Sequence, residues 1–403
     1  MKVLALEHAV AGPICTRHLA DLGAEVVKIE RVGVGDFARG YDSYVHGCSS
    51  YFAWLNRGKK SVALDMKSKL AQPVLRRLVD SSDVLVQNLA PGAAARLGLG
   101  YDEIRAHNPR CVVVDISGYG DSGPFAQRKA YDMLIQAEAG LMSITGTADT
   151  PARVGISIAD LATGLYAQTA VLAGLLRRAR TGEGGNVKVV MLDALAEWMT
   201  HPMYRHAYNG SAVPRLPSSH PAIAPYGIHA TRDGQVIFGI QNEREWAMFC
   251  RIVMGKEELA SDPRFKSNNA RRENVQALTA AIEARFATLD SLAVVALLEE
   301  ADIASGRLND PAALWEHEQL AARDRWRSIG VPGGQAARAV LPPITFADHE
   351  ALMGDVPALG EHTGDVLGAV GFTAEQIKEL ESACVVASAL PLPSTTFTKE
   401  SLN

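Results

Sequence analysis

Short β-branched runs alternate with longer amphipathic stretches through the first half of the chain. Val3–Leu6 is continuous and apolar, as expected of a strand buried on both faces. Cys15–Leu22 carries a helical period, Gly23 ends it, and Glu25–Ile29 is the next strand. Ser61–Leu64 is a further strand, followed by a helix from about Leu70 to Val79. Asp83–Gln87 and Cys111–Ile116 have the composition of buried strands. This alternation predicts an α/β fold, with a parallel sheet and helices on both faces.

A further unit begins with the strand-like run Val154–Ala159 and reaches Asp160. An apolar helix then extends to about Arg180. Arg177, Arg178 and Arg180 suit its negative end, and Gly182 is the stop. Val187–Val190 reads as a strand, and Leu192–Trp198 as the start of another helix. Between His201 and Pro225, the prolines Pro202, Pro214, Pro217, Pro221 and Pro225 interrupt regular structure and mark a linker. Tyr226–Gly239, turning at Arg232-Asp233-Gly234, predicts a hairpin. Helical patterns follow at 243–254, 272–286 and 291–300. After Pro311 the pattern gives a helix to about Arg325 and strand-like pieces near Val340 and Ile344. The expected division is a large domain over 1–200, a linker over 201–225, and a small α+β domain over 226–310. A return segment over 311–385 completes the large domain, and a Ser/Thr/Pro-rich flexible tail covers 386–403.

A chain of 403 residues exceeds one ordinary core, which agrees with two domains. A charged fraction of 21% and a net charge of -5 suit a soluble enzyme and give no electrostatic reason for nucleic-acid or membrane binding. The longest nearly apolar stretch, Gly164–Leu176, is too short to span a bilayer. Five widely spaced cysteines without a C-x-x-C argue against a disulfide framework or a metal site and for a reducing compartment. The cytoplasm is expected, or the mitochondrial matrix if a targeting segment has been removed. Gly33 and Gly35 lack the spacing of a nicotinamide-binding loop.

Several ordered segments carry a resemblance. They include Ala11-Gly12-Pro13 with Cys15-Thr16 and Leu19 through Glu30, then Asn56 through Ser61 with Leu64-Asp65-Met66-Lys67. Next come Gln87 through Gly92 with Arg96, and Ser117-Gly118-Tyr119-Gly120 with Gly123-Pro124. Lys129-Ala130-Tyr131-Asp132 with Gln136 and Gly140, Ile158-Ala159-Asp160 with Gly164, and Leu359 through Thr363 complete the series. Together they resemble the family III coenzyme A transferases (CaiB/BaiF type), the group containing formyl-CoA transferase. The resemblance implies a Rossmann-like large domain built from both chain ends, a small inserted domain, and a homodimer of interlocked chains. It implies acyl-CoA and carboxylic acid substrates, with no prosthetic group.

The same resemblance marks Asp160 as the covalent nucleophile. A carboxylate is ionised at neutral pH without a base, and attack on a thioester gives a mixed anhydride and then an aspartyl-CoA thioester. Asp160 also sits where an Asp would cap a helix. By family correspondence Val10 and Ala11 lie near the coenzyme A thiol, and Arg31 near the adenosine. Leu64, Asp65, Met66 and Lys67 lie beside the adenine, and Asn88, Leu89, Ala90 and Arg96 hold the middle. Lys129, Ala130, Tyr131 and Asp132 lie along the pantetheine approach.

Related 2-methylacyl-CoA racemases carry a histidine where this chain has Tyr131, and a phenol is a poor base at pH 7. That substitution favours transfer over racemisation. Ser219-His220 with Ala224 through Gly227 replaces the glycine-rich loop of formyl-CoA transferase, which weakens oxalate or formate chemistry. It is similar instead to relatives acting on succinate, mesaconate, itaconate or citramalate, with succinyl-CoA as donor, and His220 is expected near the substrate. The alternatives are intramolecular C1–C4 transfer on mesaconyl-CoA, racemisation, and a non-catalytic acyl-CoA-binding protein.

Overall fold

The computed structural model describes residues 1–210, 213–220 and 222–388. The central sheet is built from β1 (Lys2–Leu6), β2 (Glu25–Glu30), β3 (Lys59–Leu64), β4 (Val84–Gln87), β5 (Val112–Ser117) and β6 (Gly185–Val190). These six strands are parallel and lie in the order 3-2-1-4-5-6, the order of doubly wound Rossmann-type sheets.

Period-2 alternation divides the strand residues between two cores. Leu4, Leu6, Val27, Ile29, Leu85 and Val113 face one side, against the helices Gln72–Asp80 and Thr363–Ala369. Val3, Ala5, Val26, Val84, Val86, Val112 and Val114 face the other, against the helices Ala11–Asp21 and Ile158–Thr181. The latter is long and apolar enough to cross a bilayer by those measures alone, yet half of its most apolar window is buried. Gly182, at φ +80°, ends it in the left-handed conformation that favours glycine.

The chain divides into two compact units. One comprises residues 1–141, 154–204 and 324–403, and the other 142–153 and 205–323. The second unit is therefore wider than the expected 226–310. Part of the expected linker is a helix, Thr200–Asn209, and Pro221 lies outside the described residues. In the second unit, β7 (Tyr226–Ala230) and β8 (Gln235–Gly239) form the predicted hairpin, and β9 (Ser305–Arg307) pairs with β8. Trp246, Phe249, Phe238 and Phe286 fill its core.

In the first unit, β10 (Trp326–Val331) and β11 (Gln335–Val340) form a separate antiparallel pair, while Ile344 is not in a strand. β12 (Val386–Ala387) pairs antiparallel with β3. The expected tail thus begins with an ordered strand, and residues 389–403 lie outside the described residues. Val154–Ala159 is not a strand. Its first residues are irregular, and the helix starts at Ile158 because side chains from another helix take its peptide groups.

Candidate active site

A cleft of about 1090 Å³ opens at the carboxyl ends of β1 to β4, including the point between β1 and β4 where strand order reverses. Ligands of doubly wound sheets bind at such a switch point. The lining includes Arg31, Asp65, Met66, Lys67, Leu89, Ala90 and Arg96, seven of the residues expected to contact a coenzyme A ligand. Arg31, Lys67, Lys69 and Arg96 give its rim four exposed cations, suited to phosphate groups.

Other expected residues fall elsewhere. Leu64 is the fully buried last residue of β3, so its side chain belongs to the core. Asn88 does not line the cleft. Its amide accepts from the His8 N–H at 3.0 Å and donates to the His8 carbonyl at 2.9 Å, so both ends are already engaged. Val10 and Ala11 are buried at the start of the helix Ala11–Asp21. Lys129 and Tyr131 are exposed, and Ala130 packs near Gly118.

The turn from Glu7 to Val10 is held by buried charge. Lys28 Nζ lies 2.8 Å from Asp36 Oδ2 and 3.6 Å from Glu7 Oε1, and Lys59 Nζ lies 2.7 Å from Glu7 Oε1. All four side chains are shielded from solvent. Lys28 also donates to the Glu7 carbonyl, and Asp36 Oδ1 accepts from the Ala9 N–H. Burial works against the Asp36 charge, but Lys28 and two backbone N–H groups hold its carboxyl below the ordinary value. This fixes Ala9 at φ +63°, a left-handed conformation that a non-glycine residue adopts at a cost.

Asp160 occupies the third position of the helix Ile158–Thr181, after Ser157 as N-cap, so it is not itself the cap. The helix start is capped from outside. Asp132 Oδ1 accepts from the Ala159 N–H at 2.8 Å and the Asp160 N–H at 3.4 Å. Gln136 donates to Asp132 Oδ2 and accepts from the Val154 N–H, which locks the segment leading into the helix. Burial, and then the Asp132 charge, push the Asp160 carboxyl up to about 7.

Asp160 does not line the cleft, but its helix adjoins the cleft's inner turn. The neighbouring Leu161 packs with Ala9, Val10, Ile14 and Leu55. A row of aromatic rings runs from His8 through Phe37, Tyr41 and Tyr51 to Trp54, with centroids 4.9 to 6.3 Å apart. His8 and Phe37 line the cleft. The Tyr41 phenol is raised to about 12 by burial, then by Asp36, Asp160, Tyr51 and Tyr131. Cleft, aromatic row and Asp160 therefore form one neighbourhood.

His220 belongs to the second unit. Its ring stacks on Tyr226 at 5.2 Å, and its Nδ1 accepts from the Ala222 N–H.

Sequence reading missed Glu7, His8, Asp36, Phe37, Lys69 and Cys384 as lining residues. A polar pair directly after the apolar β1 was a usable signal for Glu7 and His8. Nothing local could have brought Cys384 to the cleft.

Fold and site define an α/β protein with a cation-rimmed cleft at its switch point and a carboxylate on an adjoining helix. Residues 1–363 match the family described as CoA-transferase family III, and the chain belongs to that family. It is 33% identical to a succinyl-CoA:glutarate CoA-transferase of Mus musculus, over 91% of this chain and 85% of the relative. It is 36% identical to an acetyl-CoA:oxalate CoA-transferase of Acetobacter aceti, over 80% of this chain and 83% of that one. Among solved structures, a CAIB/BAIF family protein from Brucella suis matches with a TM-score of 0.83 and 32% identity, covering 92% of this chain and 98% of that one.

Proposed function

We propose that this enzyme moves coenzyme A from succinyl-CoA to a small dicarboxylate, with Asp160 as the covalent carboxylate. The observation that carries the reading is the placement of Asp160. It is a half-buried carboxylate at a helix start, beside the turn at the inner end of a cation-rimmed cleft.

An Asp160 oxygen attacks the thioester carbonyl. The C–S bond breaks, leaving a mixed anhydride and coenzyme A thiolate. The thiolate then attacks the Asp160 carbonyl, releasing the donor carboxylate and forming an aspartyl-CoA thioester. The acceptor carboxylate attacks that thioester, giving a second anhydride and thiolate. The thiolate finally attacks the acceptor's acyl carbon and restores Asp160. Each intermediate stays activated, so no external energy source is needed. Water must be kept out, because anhydride and thioester both hydrolyse.

In this reading the exposed Arg31, Lys67, Lys69 and Arg96 meet the phosphates of coenzyme A, and Asp65 and Met66 flank its adenine. Asp132 and Gln136 position the nucleophile's helix. Tyr131 lies next to Asp132 without a base's chemistry, which supports transfer over racemisation. The oxalate activity of the Acetobacter aceti relative makes oxalate a second acceptor to test.

Incubating the protein with succinyl-CoA and glutarate, mesaconate, itaconate, citramalate or oxalate, followed by hydroxylamine and peptide mass spectrometry, tests the proposal. Label on Asp160 only in the presence of thioester is expected, with transfer to a C4 or C5 dicarboxylate exceeding transfer to oxalate. Turnover retained in Asp160→Asn would overturn the mechanism.

A further inference from the structure

The Asn88 clamp leaves its neighbour with no partner of its own. Both backbone groups of His8 are held by Asn88, the preceding carbonyl by Lys28 and the following N–H by Asp36. The imidazole thus fixed is half-buried in the cleft and lies 4.9 Å from the Phe37 ring. Among the described residues, neither ring nitrogen has a hydrogen-bond partner. Both nitrogens are open to the cleft, where a ligand can meet them.

The surroundings say what kind of ligand. The groups acting on His8 are Asp36, Lys28, Glu7 and Arg31, and burial outweighs them all, holding its pKa below the ordinary histidine value. The ring is therefore neutral at pH 7, with one nitrogen donating and the other accepting. A phosphate would favour a cation, and the rim provides four. A neutral donor–acceptor ring suits an amide or a hydroxyl. His8 is also part of the Glu7–Val10 turn against which the Asp160 helix packs.

We infer that His8 is a ligand-contacting residue of the cleft, its imidazole hydrogen-bonding an amide or hydroxyl of the pantetheine arm of the acyl-CoA. The inference rests on the coenzyme A reading above.

His8→Phe keeps a ring against Phe37 and removes both nitrogens, while His8→Gln restores a donor and an acceptor. Calorimetric titration with coenzyme A, dephospho-CoA and adenosine 3',5'-bisphosphate separates the arm from the nucleotide. In His8→Phe the first two should bind about tenfold more weakly, the size expected for one lost hydrogen bond in a shielded site. The bisphosphate, which has no arm, should bind as it does to the unaltered protein. KM for the acyl-CoA should rise with kcat within about twofold, and His8→Gln should recover most of the loss. Unchanged coenzyme A affinity in His8→Phe, or an equal loss for the bisphosphate, would overturn the proposal. In the unaltered protein, the His8 imidazole resonances should shift with coenzyme A and not with the bisphosphate. This readout does not depend on how the variants fold. Failure of the unaltered protein to bind coenzyme A would instead overturn the function proposed above.

Discussion

A carboxyl group attacks a thioester as its anion, and Asp160 is held near the midpoint of that ionisation at neutral pH. Its pKa of about 7 arises from burial and then from Asp132. In the free enzyme kcat/KM should therefore rise about tenfold per pH unit below 7 and level off above it. The same shift bears on stability. The folded value lies above the ordinary 3.8, so between about pH 4 and 7 the folded state holds a proton that the unfolded chain has lost. Stability then falls as pH rises through that window. Asp160→Asn escapes this penalty. It should be more stable than the unaltered protein at pH 8 by roughly 1–4 kcal/mol, with the gap closing toward pH 4. Urea unfolding at pH 5 and pH 8 measures both gaps. Asp132→Asn retains an oxygen to accept from the Ala159 N–H and removes the charge. Its pH–rate profile should move to lower pH. Asp132→Leu loses the cap as well and should cost about 1 kcal/mol of stability.

Between elements, the contact that fixes Asp160 relative to the Val10 turn is the crossing of the helices Ala11–Asp21 and Ile158–Thr181. Gly164 permits it. A Cβ there would stand 2.0 Å from Ile14 Cγ2 and 2.7 Å from the Ala11 carbonyl oxygen. Gly164→Ala should therefore push the helices apart, costing about 1–3 kcal/mol. It should lower kcat more than it raises KM for coenzyme A, because the carboxylate moves while the rim cations do not. Thermal melting and steady-state kinetics check both effects. Gly164 stands four residues after Asp160, but its role is not legible in the sequence, since nothing local says which element will cross it. What the chain did reveal follows from the same logic. The strands β1, β4 and β5 were readable because parallel strands buried on both faces are largely continuous and apolar. Val154–Ala159 has a similar pattern and is not a strand, because Gln136 and Asp132 compete for its peptide groups. The rim residues Arg31, Lys67 and Arg96 were legible through the family resemblance, since each lies in a motif that the resemblance assigns to coenzyme A. The inward-turned Asn88 was not, since an exposed and a clamped amide look alike in sequence.

At the scale of the whole molecule, one feature of the first unit asks for a partner. Leu165, Leu172 and Leu176 lie seven and four residues apart on one side of the helix Ile158–Thr181, and they are 45%, 48% and 66% exposed. Trp198 is 48% exposed in the same unit. An apolar face of this kind marks an interaction surface, and we propose that a second copy of the chain, as in the interlocked dimer that the family resemblance implies, covers it. Light scattering should then return twice the 43.1 kDa of one chain. Interlocking adds a stronger expectation. Two merely docked subunits separate on dilution with their folds intact, whereas linked chains separate only when one unfolds. The mass should therefore hold down to nanomolar protein, and in urea the loss of dimer should coincide with the loss of helical circular dichroism. Leu172→Glu places a charge on the covered face and should lower the urea midpoint without producing a folded monomer. A folded 43.1 kDa species on dilution, with native circular dichroism, would reduce the assembly to simple docking. A monomer at every concentration would leave the leucine face to some other partner.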